Sequence, residues 1–297
     1  MNSLNPVVII PVYKTVPDCS ERISYLQAIR VLGHFPLRIV CPVSLDAQFY
    51  AAELCHVADA NIERFPDSFF GSIKGYNQLL VSKEFYEHFA TYSHMLIYQL
   101  DAYVFRDELL DWCSRDYDFI GAPLFEGYEK APDTAHFING ANGGFSLRKI
   151  QSAIGVISDL YRIYWLLEAV RGLVSDSPRR FASILKKRLR NEITAFDLLG
   201  NSYDNEDVLW SVRVPDYLKA VEHSSGFFPR LIRGLQTRKR YKVAPFEDAR
   251  QFAFECLPER LMKLNGNHLG FGCHAWNRYD SQFWDEHIIE TMPYDLL

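Results

Sequence analysis

What most constrains this chain is an alternation through its first half, in which short apolar runs suited to strands are followed by stretches with helical spacing. Strand-like runs at 7–13, 37–41, 61–65, 94–101 and 118–122 are separated by helix-like segments at 21–32, 46–54, 72–89 and 107–113. A strand covered on both faces reads as an unbroken apolar run, and the repeated strand-helix order builds a doubly wound, mainly parallel sheet. Ligands of such sheets bind beyond the carboxyl ends of the strands. With 297 residues, 48% of them hydrophobic, the chain can bury a large core. One α/β domain over 1–297 is expected, carrying a helical insertion at 155–200.

The formal net charge of −5 and a pI near 6.0 lack the basic footprint of a nucleic-acid binder, so no nucleic acid is expected as a partner. Six cysteines, at 19, 41, 55, 113, 256 and 273, include no C-x-x-C pair. Neither a zinc knuckle nor a disulfide framework is indicated, and reduced thiols in a cytoplasm are expected. No charged segment precedes the apolar run at 7–12, which Pro11 interrupts; it reads as a first strand rather than a signal peptide. No stretch approaches the roughly 18 apolar residues of a membrane span, so any membrane association is expected to be peripheral. No G-x-G-x-x-G follows the first strand and no G-x-x-x-x-G-K-S/T occurs, which removes the dinucleotide fingerprint and the P-loop.

Within 94–105 an apolar strand ends on one carboxylate, Asp101. Buried without a partner it would cost several kcal/mol or stay protonated, so it belongs at the strand's carboxyl end facing a crevice. A divalent cation is the natural partner; a turn residue, or a cap on the helix at 107–113, is the alternative. The first strand exits into Pro11-Val12-Tyr13-Lys14, where an aromatic and a cation can face a base and a phosphate or simply form a solvated turn. The glycine-rich Asn139-Gly140-Ala141-Asn142-Gly143-Gly144 suits either a loop under a sugar or phosphate or a hairpin turn. Glu206 and Asp207 stand at a helix entrance, where first-turn carboxylates are favoured in any case. His274 lies in a glycine-bounded loop beside Trp276, as a ligand or as a structural histidine.

In the insertion, Arg179, Arg180, Lys186, Lys187, Arg188 and Arg190 surround Phe181, Ile184, Leu185 and Leu189. The spacing makes a basic amphipathic helix, to lie on an anionic membrane surface or to pack on the core with a solvated basic face.

Taken in order, the segments 8–13, 69–77, 98–105, 118–123, 142–148, 205–210, 252–255 and 271–276 resemble a family of bacterial glycosyltransferases with a GT-A-type fold, found among polysaccharide and lipopolysaccharide biosynthesis proteins and long labelled a domain of unknown function. The resemblance implies a Rossmann-type central sheet flanked by helices and transfer of a sugar from a nucleotide-sugar donor to a hydroxyl of a glycan or lipid-linked acceptor, inverting and metal-assisted. It implies a cytoplasmic enzyme at the inner face of the membrane. GT-A enzymes hold a divalent ion with a strand-end D-x-D motif. Here Asp101 matches either its last position, preceded by Gln99, or its first, followed by Tyr103.

The implied metal site is Asp101 with His274, completed around Mn²⁺ or Mg²⁺ by diphosphate oxygens and water. Asp207 is implied as the base, with Glu206 second. Pro11, Tyr13, Lys74, Asn77, Gln99 and Tyr103 are expected at the donor, Asn142, Gly143 and Gly144 under the sugar, and Trp276 stacked on a sugar ring. Two other readings stand beside this one. A sugar nucleotidyltransferase is disfavoured because its glycine-rich, Arg-containing loop after the first strand is missing, and a catalytically inactive glycan-binding scaffold is kept open by the incomplete D-x-D. A transferase releases nucleoside diphosphate from a nucleotide sugar, a nucleotidyltransferase releases pyrophosphate, and a scaffold releases neither.

Overall fold

The computed structural model describes residues 4–174, 195–199 and 205–288. Its main sheet contains β1 (Pro6–Pro11), β2 (Leu37–Pro42), β3 (Ala60–Phe65), β4 (His94–Tyr98), β6 (Phe119–Phe125) and β7 (Phe137–Lys149) in the order β3-β2-β1-β4-β7-β6. The first four run parallel and β7 is antiparallel to both of its neighbours. This is the mainly parallel α/β architecture expected of a GT-A-like chain. Alternation along each strand explains the continuous apolar runs. Val8 and Ile10 of β1, with Leu96 and Tyr98 of β4, enter the core on one face, while Val7, Ile9, Met95 and Ile97 enter the core on the other.

Three very short strands form a second sheet, in which β9 (Gly272–Cys273) lies between β5 (Tyr103–Val104) and β8 (Ala253–Phe254). Its effect on position is large for its size. Asp101 precedes β5, Glu255 follows β8 and His274 follows β9, so pairing these strands gathers three ionisable side chains from distant parts of the chain. The backbone N–H of His274 donates to Phe254 O at 2.8 Å, and that of Trp276 to Asp101 O at 3.3 Å.

Two expectations change in detail. The helix anticipated at 72–89 is two helices, Ile73–Leu79 and Lys83–His88. Ser82 separates them, because its hydroxyl donates to Leu79 O and accepts from the Phe85 N–H, ending one helix while capping the next. The glycine-rich segment 139–144 is neither a loop nor a hairpin turn but the interior of β7. Opposite it, the β6-β7 register shifts around Gly121 and Pro123, and such a bulge re-aims the residues beside it.

The insertion expected at 155–200 continues a helix that begins earlier, Ile150–Val174, and includes the helix Ala195–Leu199. Its basic stretch at 179–190 lies outside the described residues. Among the described residues no helix is long and apolar enough to cross a membrane.

Candidate active site

A cleft of about 730 Å³ opens beyond the carboxyl ends of β1 and β4. Because β7 runs antiparallel to β4 and pairs Phe145 with Tyr98, its preceding residues 142–144 extend past the end of β4 along the cleft, and Gln99 N–H donates to Gly144 O at 2.9 Å. Pro11, Tyr13, Asn77, Gln99, Asp101, Asn142, Gly143, Gly144, Glu206, Asp207 and His274 all line it.

Three expected residues do not reach the lining. Lys74 sits on the exposed side of the helix Ile73–Leu79. Tyr103 is buried at 1% exposure in the core behind the small sheet, where its β-strand pairing turns it away from the cleft. Trp276 is buried in the same core and its indole N–H donates to Ser24 Oγ at 3.0 Å, so its ring faces protein on all sides instead of a sugar.

On one side of the cleft, Asp101, Gln99, Glu255 and His274 form a connected set. His274 Nε2 lies 3.2 Å from Asp101 Oδ1 and 3.2 Å from Gln99 Oε1, while Nδ1 lies 3.0 Å from Glu255 Oε1. Asn142 Nδ2 donates to the same Glu255 oxygen at 3.1 Å. Arg278, at the mouth, contacts Asp101 Oδ2 at 3.1 Å. Burial opposes ionisation of Asp101, yet His274 and Arg278 outweigh it and hold the carboxyl down at about 2. Burial likewise opposes a charge on His274, but the carboxylates of Asp101 and Glu255 raise the ring to about 10.

On the other side stands the helix start Glu206–Val208. Glu206 is buried, and both its oxygens accept from the fully buried Arg148 of β7, at 2.7 and 2.8 Å. Asp207 is half-buried. Its Oδ1 accepts from the Val208 N–H at 2.7 Å, and Oδ2 has no protein partner among the described residues. Burial first, and then the charge of Glu206, push Asp207 up to about 7. Asn77 ties this helix start to the cleft wall, its Nδ2 donating to Asn205 Oδ1 at 3.1 Å.

The glycines of β7 make the two sides meet. A Cβ on Gly143 would stand 2.2 Å from Glu206 Oε1 and 3.1 Å from Asp207 Cβ, and one on Gly144 would stand 2.0 Å from His274 Nε2. No side chain fits at either position. Adjacent residues, whose Cα atoms are about 3.8 Å apart, therefore carry the Asp207 side and the His274 side of the cleft.

The donor set fits a substrate-completed divalent cation once His274 is deprotonated. Asp101 Oδ1, His274 Nε2 and Gln99 Oε1 converge, but without a metal the ring is an imidazolium held between Asp101 and Glu255. A cation at Nε2 would have to displace that proton, with Glu255 on Nδ1 orienting the ring. Among the described residues no cluster of three or more His, Cys, Asp or Glu converges as a complete cage. Six carboxylates line the cleft beside Lys14, Arg278 and His274, and of these Glu206 is already compensated by Arg148. Lys14 is already engaged by Asp18 at 3.1 Å and Glu21 at 2.8 Å.

Sequence reasoning missed Glu255 and Arg148 as site residues, although each leaves a trace. Glu255 ends an apolar run just as Asp101 does, and Arg148 is a lone cation at an inward position of an apolar strand.

Sheets of this kind bind ligands beyond the carboxyl ends of their parallel strands, which makes this cleft the candidate ligand site. The chain matches a family described as "Protein of unknown function (DUF5672)" over residues 59–274, and it belongs to that family. No curated protein matches it. Among solved structures it is similar to core-mannan synthase A of Aspergillus fumigatus in its Mn/GDP form, at 14% identity and a TM-score of 0.38 over 54% of this chain and 63% of that one. It is also similar to the apo glycosyltransferase GlyE of Streptococcus pneumoniae, at 11% identity and 0.44 over 99% of this chain and 62% of that one. Mouse xyloside xylosyltransferase 1 overlaps at 10% identity and 0.45, over 92% and 98%. The chain thus spans under two thirds of the length of the first two proteins.

Proposed function

We propose that this protein is an inverting glycosyltransferase that moves a sugar from a nucleotide-sugar donor to a hydroxyl of a glycan or lipid-linked acceptor. The observation that carries this reading is the placement of Asp207 and of the Asp101-His274 donor set on either side of two consecutive glycines. Asp101, His274 and Gln99 would hold a divalent cation against the donor diphosphate, and the cation, when bound, supplies Lewis-acid stabilisation of the departing nucleoside diphosphate. Asn142, Gly143 and Gly144 lie under the sugar, where backbone can approach the ring closely. Pro11 and Tyr13, at the end of β1, line the nucleotide end.

Asp207 faces the acceptor. The acceptor oxygen attacks the anomeric carbon opposite the diphosphate, its proton passes to Asp207 Oδ2, and the bond to the diphosphate oxygen breaks with its electron pair leaving on the diphosphate. A base poised near 7 suits this transfer at neutral pH. Glu206 cannot take that part, since Arg148 occupies both its oxygens.

The test is release of nucleoside diphosphate from a panel of nucleotide sugars with Mn²⁺, by wild type and by Asp207→Asn. Release by wild type, lost in the variant, supports the assignment. Pyrophosphate release from nucleoside triphosphates would replace it with nucleotidyl transfer, and an inert wild type that still binds glycan would replace it with a scaffold.

A further inference from the structure

Arg148 uses every N–H it has. Nη1 donates to Glu206 Oε2 at 2.7 Å and to Tyr86 OH at 3.3 Å, Nη2 to Glu206 Oε1 at 2.8 Å and to Gly143 O at 3.2 Å, and Nε to Ser146 Oγ at 3.0 Å. Ser146 Oγ in turn donates to Gly143 O at 2.7 Å. Arg148 is 1% exposed and Glu206 4%. Replacing a buried ion pair of this kind by apolar residues of similar volume is often neutral or stabilising, so fold stability alone does not call for one. A planar fork with five fixed donors supplies direction, which apolar packing lacks.

Its attachments have a common geometry. The two terminal nitrogens together hold the residue immediately before Asp207, and Nη2 also holds the carbonyl of the glycine whose missing Cβ makes room for Glu206 and Asp207. We propose that Arg148 and Glu206 are a positioning pair for Asp207, fixing the helix start that carries the base against the Gly143 backbone under the sugar. This proposal rests on the transferase reading for the role of Asp207.

The charged groups that act on Asp207 are Glu206 from its own helix, Glu255 from the end of β8 and Arg148 from β7; the two carboxylates raise its affinity for a proton, while the Val208 N–H and the guanidinium lower it. Glu206→Gln keeps the volume and one acceptor oxygen while removing the charge. Titration of the Asp207 carboxyl by ¹³C NMR in that variant is expected to move down by about one pH unit. Its kcat is expected to fall by about tenfold with donor KM nearly unchanged.

Arg148→Met alone leaves Glu206 buried and uncompensated and is expected to fold poorly. The double variant Arg148→Met/Glu206→Leu removes the whole pair, and it is expected to fold with a near-native Tm but to lose kcat. An unmoved Asp207 titration in Glu206→Gln, or a folded double variant with wild-type kcat, overturns the proposal. A wild type that turns over no nucleotide sugar overturns the transferase reading instead, and the titration, which needs no substrate, still decides the pair.

Discussion

Asp101 and Asp207 line the same cleft, and an arginine acts on each, yet their neighbours drive them in opposite directions. Asp101 faces the ring of His274 and the guanidinium of Arg278, which hold it at about 2 in spite of burial. Asp207 lies near Arg148, but Glu206 engages that cation on both oxygens, so burial and the Glu206 charge prevail and Asp207 rises to about 7. One carboxylate is a permanent anion able to hold a cation; the other can take a proton near neutrality. The difference teaches that the proton affinity of each carboxylate is set by which carboxylate each cation already serves.

The sharpest way to break this comparison is to neutralise each aspartate in turn. Asp207→Asn keeps shape but cannot accept a proton, and turnover is expected to fall by roughly 10² to 10⁴ while donor affinity stays nearly constant. Isothermal titration of the donor beside steady-state rates separates the two quantities; a collapse of donor affinity would move Asp207 into the binding site. Asp101→Asn is expected to do the reverse, weakening Mn²⁺-dependent donor binding by about 10- to 100-fold. Unchanged Mn²⁺ titration curves would remove Asp101 from the cation site.

A pH series sharpens the comparison further. In the proposed mechanism Asp207 works deprotonated, so kcat is expected to rise through about 7 and then level off. Its stability effect has the opposite sign to that of Asp101. A carboxyl whose folded pKa is raised contributes stability fully below its unfolded value of 3.8, and that contribution is lost as pH climbs through about 7. Asp207→Asn is therefore expected to be the more stable protein at pH 8, by on the order of 1 kcal/mol for a half-buried group, and to show no such gain at pH 4. Thermal unfolding at the two pH values reads this directly.

The smallest effect is expected at Trp276. Trp276→Phe removes one buried hydrogen bond to Ser24 and is expected to cost about 1 kcal/mol of stability while changing the donor KM less than twofold. A large rise in KM would return the indole to the sugar site.

Much of the fold was legible because strands buried on both faces need continuous apolar runs, and β1 and β4 have them. Asp101 was legible for the same reason, as a charge at the end of such a run. His274 was readable only as a histidine among glycines, since no local pattern says that β9 lies between β5 and β8. The single helix expected at 72–89 failed at Ser82, where a hydroxyl both closes and caps; a serine inside a helical spacing looks the same whether it breaks the helix or faces water. Trp276 was assigned to the ligand because an aromatic ring suits a sugar and a core equally, and Tyr103 because it stands where a D-x-D motif would carry its second carboxylate; spacing does not show that both rings are buried.

By itself, the order of apolar and polar residues determined a mainly parallel α/β sheet, the cleft at its strand ends and the carboxylate types available there. Only the tertiary structure decided how those carboxylates are used. Arg148 lies 58 positions from Glu206 in the chain, and Asp101, Glu255 and His274 meet through strand pairs of two residues each. Periodicity reports burial one segment at a time, whereas proton affinity is set by charges within a few ångströms, and that neighbourhood exists only after the chain has folded.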